Sequence, residues 1–217
     1  MTEKEIIETT VHFVKTTLQN AEGGHDWWHI ERVWKNAVTI AEAEKVNLQV
    51  VELAALLHDI ADAKFNNGDE EIGPAKATQF LQSIHVAEEI IEEVEIIIRN
   101  ISFKGGNFTQ YFNSPELAVV QDADRLDALG AIGIARAFNY GGFKNREIYN
   151  PAIAPDLGMT KESYKKNAAP TINHFYEKLL LLKNKMNTTT GKQMAEERHL
   201  FMETYLEQFY KEWEGEK

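Results

Sequence analysis

The sequence predicts an all-α fold, a single compact helical domain with additional C-terminal helices. Three observations carry that expectation. Apolar residues recur at helical steps along nearly the whole chain, no segment shows a convincing strand alternation, and capping or breaking residues stand where the stripes begin and end. The chain has 217 residues, a length that suggests one domain spanning 1–217, large enough to bury a core without disulfides.

The elements follow in order. Ile7, Val11, Val14 and Leu18 share a face, Thr2 and Glu5 form a capping box before them, and Gly23–Gly24 closes the unit. A second helix is expected over about 26–46, with Ile30, Val33, Ala37 and Ile40 inward. A third, almost wholly apolar, covers 50–57, and a fourth covers about 69–83. The fifth carries Ile90, Ile91, Val94, Ile97, Ile98 and Ile101 on one stripe. Its isoleucines favour strands, but helical spacing with glutamates opposite outweighs that preference. Residues 102–115 read as a loop. Ser114-Pro115-Glu116 then starts a helix expected to run to about Phe138, carrying Leu117, Val120, Leu126, Leu129 and Ile132. Residues 139–160, with Gly141–Gly142, Pro151, Pro155 and Gly158, read as an irregular loop, and a loop of that length is usually functional. Two more helices are expected over 161–186 and 188–214, the last keeping Phe201, Tyr205, Phe209 and Trp213 at steps of four.

Composition excludes several functions. Thirty-four acidic against 23 basic residues give a net charge of −11. That disfavours a nucleic-acid polymer or an anionic membrane as partner. The absence of cysteine removes disulfides, thiolate metal sites and thiol nucleophiles. The longest run without a polar side chain, 128–135, contains two glycines and is far too short to span a bilayer. The N-terminus is acidic and amphipathic rather than a secretory leader. A soluble, cytoplasmic protein is the expectation.

Three places concentrate polar chemistry. His25-Asp26-Trp27-Trp28-His29 puts two histidines four apart, one above the other on a helix. His58-Asp59 closes an apolar helix, where burying both side chains is costly unless something satisfies them. Asp122, Asp124 and Asp127 interrupt an otherwise apolar helix, with Asp124 on or near its buried face. Each alone has an ordinary reading: a helix cap for Asp26, a hydrogen-bonded core histidine, a salt-bridged helix face. Together His29, His58, Asp59 and Asp124 suggest a two-His, two-Asp site for one divalent ion of the manganese, iron, cobalt, nickel or zinc kind, with positions left for water.

The ordered set, with His25-Asp26-x-x-His29-x-x-Arg32-Val33, His58-Asp59 and Asp124, resembles the HD-domain metal-dependent phosphohydrolases of the small stand-alone bacterial type. The resemblance covers a catalytic core of about 20–140, and His174-Phe175-Tyr176-Glu177-Lys178-Leu179 also resembles that subgroup without an assigned chemistry. It implies an all-helical fold, metal ligands at His29, His58, Asp59 and Asp124 (magnesium is a further possible ion), and a catalytic role for Asp62 on water or leaving group. It implies hydrolysis of a phosphomonoester or of a phosphoanhydride in a small nucleotide, with release of phosphate or pyrophosphate. An alarmone hydrolase or other nucleotide phosphodiesterase, and a non-catalytic nucleotide or metal sensor, are the alternatives. The alarmone enzymes carry His-Asp-x-x-Glu-Asp, and here His58-Asp59-Ile60-Ala61-Asp62-Ala63 lacks one acid of that pair. His85 is the only histidine between Asp59 and Asp124; it is expected to begin a helix and face solvent, so one metal is expected. Candidate substrate contacts are Lys64, Asp127, His25, Asp26 and Arg146, with Arg32, Lys104 and Arg125 as further cations. A small phosphorylated partner, a possible homodimer and a lid formed by 139–160 complete the expectations.

Overall fold

The computed structural model describes residues 1–19, 26–61, 69, 71–101, 112–158 and 168–216. Its described residues form helices and no strand. The chain divides into two compact units, the first ending at Asp124 and the second running onward from Arg125.

In the first unit, α1 (Glu3–Thr17) opens with the expected reciprocal capping box between Thr2 and Glu5. Helix α2 (Trp27–Glu44) buries Ile30, Val33, Ala37 and Ile40, as its spacing requires. The apolar α3 (Leu48–Leu57) lies at the centre. Its residues Leu53, Ala54, Ala55, Leu56 and Leu57 are fully buried, and α1, α2 and α5 (Glu88–Ile101) pack around it. Each such leucine contributes about 1.5–3 kcal/mol of burial. Helix α4 (Ile72–Ser83) packs on α5, and Phe80 stacks on Phe13 of α1 with ring centroids 4.0 Å apart. His85 faces solvent as expected but begins no helix: it follows α4 in the left-handed region at φ 58°. Helix α6 (Pro115–Leu126) starts at Ser114, whose hydroxyl accepts from the Leu117 N–H at 3.0 Å.

Three expectations need correction. The helix expected from 115 to 138 is two helices, α6 and α7 (Gly130–Phe143). Between them Leu129 is extended and Gly130 sits at φ +68°, a conformation that side chains with a Cβ resist. A Cβ at Gly133 would also stand 2.2 Å from the Ala128 carbonyl oxygen, so the turn depends on glycine twice. The break leaves Ile132 exposed rather than inward. Second, the irregular stretch begins after Phe143. Gly141–Gly142 lies inside α7 and is no breaker; a Cβ on Gly141 would meet Thr171 Oγ1 at 2.1 Å, so that glycine permits close packing. Third, the helix expected over 161–186 is, from 168 onward, α8 (Thr171–Glu177) followed by a 3-10 helix (Leu179–Lys185). Pro170 precedes α8, where its missing N–H does no harm, and Lys178 breaks the run at φ −144°, ψ −57°. Helix α9 (Thr189–Trp213) turns Ala195, His199, Met202 and Leu206 inward. Phe201 and Trp213 stay about half exposed, while Phe209, Tyr210 and Trp213 surround Tyr149. No described helix is long and apolar enough to cross a membrane.

Candidate metal centre

Three helices of the first unit bring the site together. On α2, Asp26 is the N-cap, and its carboxylate accepts from the His29 N–H at 3.0 Å. The cap fixes the first turn and so sets where His29 stands. His29 is 2 % exposed and points inward. At the end of α3, His58 is the C-cap. Its Nδ1 stands 2.8 Å from the Ala55 carbonyl oxygen. A carbonyl can only accept, so Nδ1 carries the proton and Nε2 presents a lone pair. This is how a metal-binding imidazole is normally oriented. On α6, Asp124 follows the buried Ala123 and is 40 % exposed through its side chain.

These groups converge. Asp124 Oδ1 lies 3.5 Å from His29 Nε2 and 3.9 Å from His58 Nε2. The two imidazole rings meet nearly edge to face, with centroids 5.5 Å apart. Donor atoms of His29, His58 and Asp59 all lie within 4.8 Å of one another. The spacing itself tests whether a cation fits. Both histidine–aspartate separations exceed a direct hydrogen bond, about 2.7–3.2 Å. Donors about 2.0–2.2 Å from a shared ion stand roughly 3–4 Å from each other. Two imidazoles and two carboxylates also form a donor set that suits a cation between them. The residues therefore fit a divalent ion.

The remaining expected site residues divide. Asp62, Lys64, His25 and Lys104 lie outside the described residues. Asp26 acts as the cap just described. Arg32 stands one turn after His29 on α2, half-buried. Asp127 is 1 % exposed and its carboxylate accepts from Arg136, which also donates to the Asp127 carbonyl at 3.3 Å. That pairing gives Asp127 a role in holding the α6–α7 turn and argues against the expected substrate contact. Arg125 donates to the Lys185 carbonyl at 2.6 Å, at the end of the 3-10 helix. Arg146 lies in the second unit, with its guanidinium 5.4 Å from the Tyr140 ring. Sequence reasoning passed over Asp122, which is fully buried; its place among three acids gave no signal separating it from Asp124.

Two imidazoles and two carboxylates, one pair of them a His-Asp doublet at a helix end, define a class of protein. A profile for the HD domain matches residues 27–129, and the chain belongs to the HD-domain family. Its relatives sharpen the placement. YpgQ of Bacillus subtilis (strain 168) is 38 % identical over 204 residues, covering 94 % of this chain and 91 % of YpgQ. The crystal structure of an HD-superfamily hydrolase from Bacillus thuringiensis matches with a TM-score of 0.79 at 48 % identity, covering 98 % of this chain and 99 % of that one. YpgQ crystallised in complex with ADP matches with a TM-score of 0.78 at 37 % identity, covering 98 % of this chain and 97 % of that one.

Proposed function

We propose that this protein is a divalent-metal-dependent phosphohydrolase that cleaves a phosphoester or phosphoanhydride bond in a small nucleotide. The clustering of His29, His58 and Asp59, with Asp124 beside both imidazoles, carries the reading. The ADP bound to YpgQ supports a nucleotide as the ligand class. A divalent ion held there supplies a Lewis acid for a phosphoryl oxygen and lowers the pKa of water.

The chain's own residues do the rest. Asp26 and the Ala55 carbonyl set the two imidazoles before any ligand arrives, so little reorganisation is needed. The half-exposed Asp124 marks the side from which water and phosphate approach. Asp62 is assigned the proton: as a carboxylate three residues after Asp59 it takes one from the attacking water or gives one to the leaving oxygen. Lys64 is assigned a phosphate contact from its place just after the doublet. The intact ligand set favours an enzyme over a sensor.

The test is release of phosphate and of pyrophosphate across nucleoside mono-, di- and triphosphates, each with manganese, magnesium, cobalt, nickel and zinc. Metal-dependent release of either product from a nucleotide is expected. No release across the whole panel would overturn the enzyme reading in favour of the sensor.

A further inference from the structure

The apolar helix α3 carries one charged residue, Glu52, and it is none of the four ligands. Its place is unfavourable for a charge. Burial raises the Glu52 carboxyl above its ordinary value, and the charges of Glu3 and Glu42 add to the rise. Its neighbours Val51 and Leu53 are fully buried, so an apolar side chain there would continue their packing. What the carboxylate provides instead is a directional contact. It accepts from the Trp34 indole N–H of α2 at 3.0 Å. Trp34 is half-buried, and an indole N–H can only donate, so Glu52 gives it the partner that burial demands.

The bond sits in the hairpin that carries two of the ligands. Residues Lys45–Asn47 join α2 to α3, with Lys45 in the left-handed region at φ 57°. Trp34 meets Glu52, and toward the open end of the hairpin the His29 and His58 rings meet with centroids 5.5 Å apart. Residue numbers rise on α2 as they fall on α3, so the two helices run antiparallel. Along each helix the bond stands about one and a half turns from the histidine. The helices otherwise turn apolar faces inward: Ile30, Val33 and Ala37 on α2, Val50, Leu53 and Ala54 on α3. Apolar attraction has no direction, and packed helices shift along one another by about 1–2 Å in many transitions. A metal constellation tolerates misplacement of only about 0.5 Å. A hydrogen bond supplies the direction that the apolar faces lack.

We propose that Trp34 and Glu52 are positioning residues for the metal centre, their hydrogen bond fixing the register of α2 against α3 at which His29 and His58 share one divalent ion. Neither side chain is among the ligands, and both act through the helices that carry them. The proposal rests on the metal-centre reading; the register bond itself does not.

The full chain, freed of divalent ions with EDTA and desalted, is titrated calorimetrically with manganese. Trp34→Phe keeps a ring and loses the N–H; Glu52→Leu loses the acceptor. Each should weaken manganese binding about tenfold. Glu52→Gln keeps an accepting oxygen and should recover most of the affinity. The double variant Trp34→Phe/Glu52→Leu removes both partners at once. It leaves no unpaired N–H, so its metal-free melting temperature should match or exceed that of wild type, while its manganese affinity stays about tenfold weaker. A role in stability alone would not separate the two readouts. Gly141→Ala, in the second unit, serves as the converse control: it should melt earlier and bind manganese as wild type does. Circular dichroism confirms that each variant folds, and the double variant carries the test if a single one does not. If wild type binds manganese and the double variant binds it as tightly, the positioning role is overturned and the metal centre stands. Affinity losses that follow the melting temperature, Gly141→Ala included, overturn the role as well. A wild type without a manganese site that Asp124→Ala removes overturns the metal centre and the role together.

Discussion

Asp124 stands 3.5 and 3.9 Å from the two imidazole nitrogens, and that double proximity makes it the most sensitive of the proposed ligands. Replacing His58, Asp59 or Asp124 with alanine is expected to abolish bound divalent metal, read by elemental analysis, with the helical circular dichroism retained. Asp62→Ala should instead keep its metal and lose turnover by at least about a hundredfold, the usual size of a general acid–base contribution. Full activity in a ligand variant would sink the site. His174 makes a separate prediction about pH. Burial, with Lys178 and then Arg146 adding to it, pushes its imidazole down to about 3 in the folded chain, from 6.5 without the fold. Above pH 6.5 both states hold it neutral and there is no proton-linked loss. Between pH 6.5 and 3 only the unfolded chain takes the proton, so stability falls as pH falls, by up to about 1.4 kcal/mol per pH unit. Urea unfolding of His174→Gln should show a shallower acid slope across that window; an unchanged slope refutes the assignment. The proposed ligand set was legible in the sequence because histidines and aspartates stand out on apolar helices. The Trp34–Glu52 bond was not: their separation gives no period, and only the folding of α3 back on α2 joins them.

At the scale of elements, capping and spacing read well, and breaks did not. The Thr2–Glu5 box, the Asn47 cap of α3, the Ser114 start of α6 and the Thr188 cap of α9 are all local chemistry, and the first and third of them were read directly. The split of α6 from α7 was invisible because 117–138 keeps apolar residues at helical steps through the turn. What decides it is tertiary: Arg198 of α9 donates to the Leu126 carbonyl at 2.6 Å and its side chain lies against Gly130. Gly130→Ala should therefore cost about 1–2 kcal/mol from the left-handed backbone alone, more if Arg198, whose Cγ would lie 3.1 Å from the new Cβ, does not give way. Gly141→Ala tests the opposite use of glycine. There the added Cβ would meet the Thr171 hydroxyl at 2.1 Å, an overpacking worth about 1–3 kcal/mol. Thr171→Ala removes that hydroxyl and should recover part of the loss. Denaturant midpoints of the single and double variants measure the coupling, and strict additivity would mean the two residues do not meet.

At the scale of the whole molecule, the net charge of −11 means that a divalent ion can bind many surface places weakly. Stability separates those from the proposed centre. An ion held by His29, His58, Asp59 and Asp124 ties α2, α3 and α6 together, and those helices unfold only if it leaves. Binding to the folded chain alone stabilises it by about 2.7 kcal/mol at a hundredfold excess over Kd. For a chain of this length each kcal/mol raises Tm by about 2–4 °C, so the expected gain on adding manganese to EDTA-treated protein is about 5–10 °C. Asp124→Ala should lose the gain, because removing one carboxylate both opens the ligand ring and lowers the site's negative charge. Glu8→Ala, on the exposed face of α1, removes the same charge without touching the site and should keep it. An equal gain in wild type and Asp124→Ala would place the stabilising ion on the acidic surface rather than among the four ligands. A gain in wild type and Glu8→Ala but not in Asp124→Ala would locate it at the junction of three helices that the His-Asp doublet closes.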